Sequence, residues 1–169
     1  MQWFTWDLAG NVIFESASHS MHDAEGRLAS VDSGSTASYV YDAGGTRVRR
    51  IVNGVAYDDV LDLGGHVISD FLASGGTWNR GEVYAGGMHL ATYIPSAANT
   101  YFVHSDWLGT ERVRSTAGGA IYSTWTSYPF GEGSSTPNPS PDHFTGKERD
   151  TESGNDYSPA RYYSSSMGR

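Results

Sequence analysis

Apolar and polar residues alternate along this chain in short bursts that never settle into a helical period. The clearest burst is Arg47-Val48-Arg49-Arg50-Ile51-Val52, then Asn53-Gly54, then Val55-Ala56-Tyr57-Asp58-Asp59-Val60. Asn-Gly tolerates positive φ at both central positions of a two-residue turn, so this pattern predicts a hairpin. Elsewhere the segments between glycines are short and rich in Val, Ile, Thr, Tyr and Trp, residues that suit a pleated surface. The longest glycine-free stretch, 88–108, is broken by Pro95 and reads as two strands around Ser96-Ala97-Ala98-Asn99. Long helices are excluded. The expected fold is all-β, with strands of roughly 4–8 residues.

The pattern also repeats. Five segments fit Asp-x-x-Gly followed by a short polar or basic step and an aliphatic residue. They begin at Asp7 (with Gly10), Asp23 (Gly26), Asp42 (Gly45), Asp62 (Gly65) and Asp106 (Gly109). The aspartates step by 16, 19, 20 and 44 residues, the last being two periods with a degenerate copy near Val83-Tyr84-Ala85-Gly86-Gly87. A period of about 20 residues holds two short strands and two turns. Each aspartate is expected to accept backbone N–H groups two and three residues on, and each glycine to supply the positive φ that completes the turn. One such unit cannot bury its own apolar face. The units must stack side by side as antiparallel hairpins in one curved, twisted sheet.

Composition narrows the chemistry. The chain has 169 residues and no cysteine, which excludes a disulfide scaffold, thiolate metal sites and cysteine nucleophiles. A net charge of −8 leaves no basic surface for nucleic acid. No apolar run reaches the ~20 residues of a membrane-spanning helix, so no membrane insertion is expected. The first residues, Met1-Gln2-Trp3-Phe4-Thr5-Trp6, carry no signal-peptide pattern and open in mid-strand, as though cut from a longer chain.

Tyr41-Asp42-Ala43-Gly44-Gly45-Thr46-Arg47 resembles a YD repeat, and the C-terminal third extends the likeness. His104-Ser105-Asp106-Trp107-Leu108-Gly109-Thr110, Tyr128-Pro129-Phe130-Gly131-Glu132 and Phe144-Thr145-Gly146-Lys147-Glu148-Arg149-Asp150 resemble the RHS repeat-associated core region. So do Gly154-Asn155-Asp156-Tyr157, Ala160-Arg161-Tyr162-Tyr163 and Gly168-Arg169. On this reading residues 1–100 are YD-type hairpin repeats and 101–169 are the core region. The pattern departs at Ala85, Thr116 and Tyr128, where an acidic turn residue is usual, so those turns should be looser.

The resemblance implies a bacterial protein, secreted or at the cell surface, whose strands spiral into a β-cocoon shell around a C-terminal toxin or effector domain. It implies that the core region plugs one end and that junction aspartates release the enclosed domain by self-cleavage. That junction usually begins just after the Gly-Arg pair that closes this chain. The expected partners are therefore the remaining repeats and the C-terminal domain of the parent chain. No cofactor is implied.

Other candidate chemistry is thin. Asp32-Ser33-Gly34-Ser35 matches half of an aspartic-protease signature, but that chemistry needs two aspartates and no second copy exists; a turn is favoured. The histidines His19, His22, His66, His89, His104 and His143 show no metal-ligand spacing. Lys147, Arg149, Arg161 and Arg169 concentrate basic charge and could support the junction. The alternation Lys147-Glu148-Arg149-Asp150 otherwise reads as a solvated hairpin with cross-strand pairs. The aromatics could form a glycan-binding face, although cross-strand packing uses the same residues. Segment 79–94, with only Arg80 and Glu82 as charges, is the stretch expected to act as an association-prone edge.

Overall fold

The computed structural model describes residues 4–15, 18–132, 144–159 and 161–168. Thirteen strands run in sequence: β1 Phe4–Trp6, β2 Val12–Glu15, β3 Ser18–His22, β4 Leu28–Val31, β5 Ala37–Tyr41, β6 Arg47–Val52 and β7 Val55–Leu61. They continue as β8 Val67–Leu72, β9 Thr77–Ala85, β10 Met88–Ile94, β11 Asn99–Ser105, β12 Glu111–Thr116 and β13 Ile121–Thr124. All belong to one antiparallel sheet whose spatial order equals the sequence order. A second, three-stranded antiparallel sheet follows, with β14 Glu148–Asp150, β15 Asn155–Ser158 and β16 Arg161–Tyr163. Among the described residues the only helical turns are three 3-10 segments of three residues each.

Asn53-Gly54 joins β6 to β7 with φ of 49° and 79°, which is the primed turn the dipeptide predicts. Because successive strands alternate in direction, their connections alternate between the two edges of the sheet. The five Asp-x-x-Gly turns join β1–β2, β3–β4, β5–β6, β7–β8 and β11–β12, so all five lie on one edge. The degenerate copy at 83–87 proves to be a different loop. Ala85 pairs with Met88 across Gly86-Gly87, giving a two-residue hairpin on that same edge.

Each Asp turn is followed by a one-residue slip in the pairing. Tyr41 faces Arg47 but Val40 faces Arg49, so Val48 has no cross-strand partner. Ile13, Ala29, Ile68 and Arg112 are skipped in the same way. Such bulges bend a strand and increase its twist, so a bulge in every repeat curls the sheet. The curl is visible in the contacts of the small sheet. Thirteen strands laid flat would span about 58 Å from β1 to β13. Yet the segment around β14–β16 shares a cavity with the first Asp turn, through Asn155 and Arg161, and bonds to Thr110 through Thr145.

The thirteen-stranded wall thus wraps the three-stranded sheet. Leu28, Val31, Ala37 and Tyr39 form the apolar core between them, with Tyr41, Val52 and Tyr162 against it. On the wall's other face Val60, Val83 and Phe102 remain exposed. Segment 79–94 is not an edge: β9 and β10 are central strands, paired on both sides. Its low charge suits that interior position. Among the described residues the outer strands of the wall are β1 and β13. Strand β11 crosses the 100/101 division, so the wall continues unbroken through it.

Candidate functional site

The Asp turns share one geometry. At Asp42, carboxylate Oδ1 accepts the N–H groups of Gly44 (2.8 Å) and Thr46 (2.9 Å), while the Asp42 carbonyl accepts the N–H of Gly45 at 3.0 Å. The carboxylate therefore takes the donors two and four residues on. The donor three residues on, which the sequence assigned to it, goes to the carbonyl, because that closes the tight turn. Asp7, Asp23, Asp62 and Asp106 repeat the arrangement. Gly10, Gly26, Gly45, Gly65 and Gly109 sit at φ of 86°, 77°, 83°, 82° and 81°, a region that a Cβ would strain.

Sequence reasoning missed the second carboxylate oxygen. Oδ2 of Asp7, Asp23 and Asp62 is met by the side chain four residues on: Asn11 at 2.8 Å, Arg27 at 2.7 Å and His66 at 3.0 Å. At Asp106 the donor is Arg112, six residues on, at 3.0 Å. The signal was present as a polar residue at the start of the following strand. These donors hold the carboxylates below the usual range. For Asp7 the Asn11 amide is the main cause; for Asp62 it is the N–H of His66; for Asp23 and Asp106 the donors outweigh an opposing effect of burial.

Two turns lack the carboxylate and keep the backbone. Thr116 and Tyr128 accept the N–H of Gly119 and Gly131 at 2.9 Å each, and donate to Ala120 and Glu132. Asp32 closes a different turn: Oδ1 accepts the N–H of His19 at 2.9 Å and Oδ2 the hydroxyl of Thr36 at 2.6 Å. Both oxygens are occupied, as expected of a turn residue.

The second constellation lies where the small sheet meets the wall. From β6 come Arg47 and Arg50, and from β9 comes Arg80. Facing them are Asp59 of β7, Asp70 of β8, Glu82 of β9, and Glu148 and Asp150 of β14. Arg47 donates to Asp150 at 2.6 Å and lies 3.2 Å from Glu148. Arg50 bridges Glu148 (2.5 Å) and Asp70 (2.6 Å), and Arg80 reaches Asp70 (2.9 Å), Glu148 (3.3 Å) and Glu82 (3.4 Å). Arg47, Asp70 and Asp150 are fully buried. The Arg47 guanidinium also lies 4.3 Å from the centre of the Tyr157 ring.

Asp59 stands apart. Its side chain is wholly buried, makes no hydrogen bond among the described residues, and has Arg47 Nε at 3.8 Å. Burial first, and then the charge of Glu148, pushes it up to about 6. Asp150 is likewise raised by burial to about 6. Burial would raise Glu148 too, but Arg50, Arg80 and Arg47 converge on it and bring it down to about 2.

The expected solvated hairpin at 147–150 is therefore overturned. Glu148 and Asp150 point into the arginine cluster, and Arg149 points the other way. Charges at i and i+2 of a strand share one face, and here both faces are covered. Arg149 forms a two-pronged pair with buried Asp156 (2.8 and 2.7 Å) and reaches the Gly131 carbonyl. Lys147 is half-buried. Arg161 is exposed and lines a cavity of about 730 Å³ between the first two Asp turns and the small sheet. Arg169 and His143 lie outside the described residues. Among the described residues no group of three or more His, Asp or Glu is placed to hold a metal. Of the aromatics, Tyr39, Tyr101, Trp125 and Tyr157 are buried, and Trp78 lies over Gly81 beside Tyr93. Trp107, Tyr128 and Phe130 are the most exposed.

No protein-family model matches the chain, and no curated protein matches it. Solved structures do. A Photorhabdus luminescens Tc holotoxin pore containing a TccC3 variant superposes with TM-score 0.69 at 18% identity, over 95% of this chain and 9% of that one. TcdB2-TccC3-TEV gives 0.63 at 16% identity over 99% and 12%, and TcdB2-TccC3-Cdc42 gives 0.59 at 18% over 99% and 9%. The chain spans about a tenth of these much longer polypeptides. The wrapped, sequentially ordered antiparallel sheet described above is the fold of a stretch of the Tc toxin RHS-repeat shell chains.

Proposed function

We propose that this chain is a segment of the wall of a secreted or cell-surface bacterial shell, one that encloses a C-terminal toxin or effector domain. Its role is structural and involves no turnover. Residues 1–100 act as YD-type repeats of the wall and 101–169 as repeat-associated core, with β14–β16 serving as the plug. The observation that supports this most is a likeness spanning at least 95% of the chain to polypeptides of TcdB2-TccC3 type. The five Asp turns serve as structural staples, and Arg149, tied to Asp156 and Gly131, braces the core. The basic residues Lys147, Arg161 and Arg169 are assigned to the region of the cleavage junction, with self-cleavage a property of the parent polypeptide.

Limited proteolysis tests the reading in a polypeptide that carries this stretch together with a C-terminal domain. The domain should resist protease while the wall is intact and become digestible once the wall is unfolded. Equal digestion in both states overturns enclosure. Binding of the chain to a glycan array, abolished by Trp107→Ala, would favour an adhesion module instead.

A further inference from the structure

The cluster between wall and small sheet is out of charge balance. Arg47, Arg50 and Arg80 bring three positive charges; Asp59, Asp70, Glu82, Glu148 and Asp150 bring five negative ones. All are buried except Arg50 and Asp59 by whole-residue exposure, and the side chains of those two are 15% and 0% exposed. Such a surplus among buried side chains is costly, because each carboxylate without a close cation loses hydration with little in return. A carboxylate in that position lowers its energy by taking up a proton.

The geometry says which ones. Glu148 and Asp70 each contact at least two guanidiniums, so their charge is compensated. Glu82 accepts the Thr92 hydroxyl at 2.6 Å and meets His89 Nε2 at 2.8 Å. Asp59 has one guanidinium at 3.8 Å and no side-chain hydrogen bond among the described residues. Asp150 has Arg47 on Oδ2, while its Oδ1 has no hydrogen-bond partner among the described residues. The groups around Asp150 from the other elements are Tyr39 of β5, Glu152 of the β14–β15 turn and Tyr162 of β16; they bring negative or neutral groups. Asp59 sits on the wall and Asp150 on the small sheet, with Arg47 between them.

We propose that the small sheet is held to the wall by a proton-loaded charge cluster centred on Asp59, Arg47 and Asp150, so that docking tightens between pH 7.5 and 5. When the sheets separate, water reaches both carboxylates and their protons leave. The docked state therefore binds more protons than the open one, and lowering the pH favours it. The direction is opposite to that of Glu148, whose pairing is lost only in stronger acid. This inference concerns contacts within the chain and holds whatever the wall encloses.

Amide hydrogen exchange of β14–β16 in the whole chain, corrected for intrinsic rates, tests it. The opening equilibrium should fall about tenfold from pH 7.5 to 5 for each carboxylate near pKa 6, and about a hundredfold for Asp59 and Asp150 together. Asp59→Asn should lower opening at pH 7.5 and cut the dependence to the roughly tenfold share of Asp150, while His89→Gln should leave it in place. If Asp59→Asn does not fold, carbon NMR of the unchanged chain reads the Asp59 and Asp150 carboxyls directly. Midpoints well above the ordinary 3.8 support the proposal. Opening that is flat or rises on acidification overturns it, as do carboxyl midpoints near 3.8, or a dependence removed by His89→Gln.

Discussion

The Asp-turn edge and the Arg47 cluster use the same functional groups to opposite effect. On the edge each carboxylate meets donors from its own turn, all within six residues, and stays in contact with water. In the cluster Arg47 meets Asp150, 103 residues away, with both side chains shut off from solvent. At Asp7, Asp23, Asp62 and Asp106 the donors outweigh the opposing effect of burial, so these carboxylates are held in their charged form. A cluster carboxylate gives up water and gains a shared guanidinium, so Asp59 and Asp150 are pushed towards their neutral form. The sign is set by hydration weighed against the number of cations and donors, not by residue type: Glu148, buried like Asp150 but met by three guanidiniums, goes down.

That contrast can be broken from the cluster side first. Arg47→Ala leaves Asp150 and Asp59 buried without the guanidinium that lies between them. It should cost about 3–5 kcal/mol, the usual loss on removing one partner of a buried pair. Urea unfolding followed by tyrosine fluorescence measures it, with exposure of β14–β16 as the first event.

Acid separates the two regions next. The turn carboxylates Asp7, Asp23, Asp62 and Asp106 lie below their unfolded value of 3.8, so their contribution is present above that pH and lost as pH falls through the folded values. Asp59 and Asp150, raised to about 6, act the other way and favour the folded chain as pH drops from 7.5 towards 5. Thermal midpoints should therefore rise from pH 7.5 to about 5 and fall below about 4. A profile with its maximum at pH 7.5 would contradict the assignment.

A single cap should matter less than the cluster. Asp106→Ala removes the acceptor for Leu108, Thr110 and Arg112 and should cost about 1 kcal/mol in urea unfolding. The smallest effect is a gain. Thr116 holds the same backbone turn without a carboxylate, so Thr116→Asp should stabilise by about 0.5 kcal/mol and draw the N–H of Gly118 into a hydrogen bond.

The two regions also differ in how far they could be read from the sequence. Asp42 and Gly45 lie three positions apart, and the chemistry joining them is local, so spacing alone predicts the turn. The same holds for Asn53-Gly54. Pairing each strand with its sequence neighbours follows from short loops, and with it the all-β sheet. The cluster has no such local mark. Arg47, Arg50 and Arg80 look like ordinary polar positions of exposed strands, and Glu148-Arg149-Asp150 looks solvated. What buries them is a second sheet laid on the first, a contact between residues about a hundred positions apart. The skipped residues Ile13, Ala29, Val48, Ile68 and Arg112 were equally hidden, since a bulge changes register and leaves composition untouched. The degenerate copy at 83–87 misled for a related reason: it keeps the glycines and the period but makes another loop.

The strict order of the wall has a consequence for its birth on the ribosome. When every neighbour in space is also the neighbour in sequence, each new hairpin closes a loop of about twenty residues, and the growing strip always offers the next strand a template. Synthesis and folding can proceed at one front, with no earlier strand waiting for a distant partner. The exceptions are the contacts of β14–β16, which tie residues near 150 to arginines emitted about a hundred residues before. Until those contacts form, Arg47, Arg50 and Arg80 line an open trough already furnished with Asp59, Asp70 and Glu82. Within this stretch the wall can form strand by strand, and its closure over β14–β16 waits until those residues have been made.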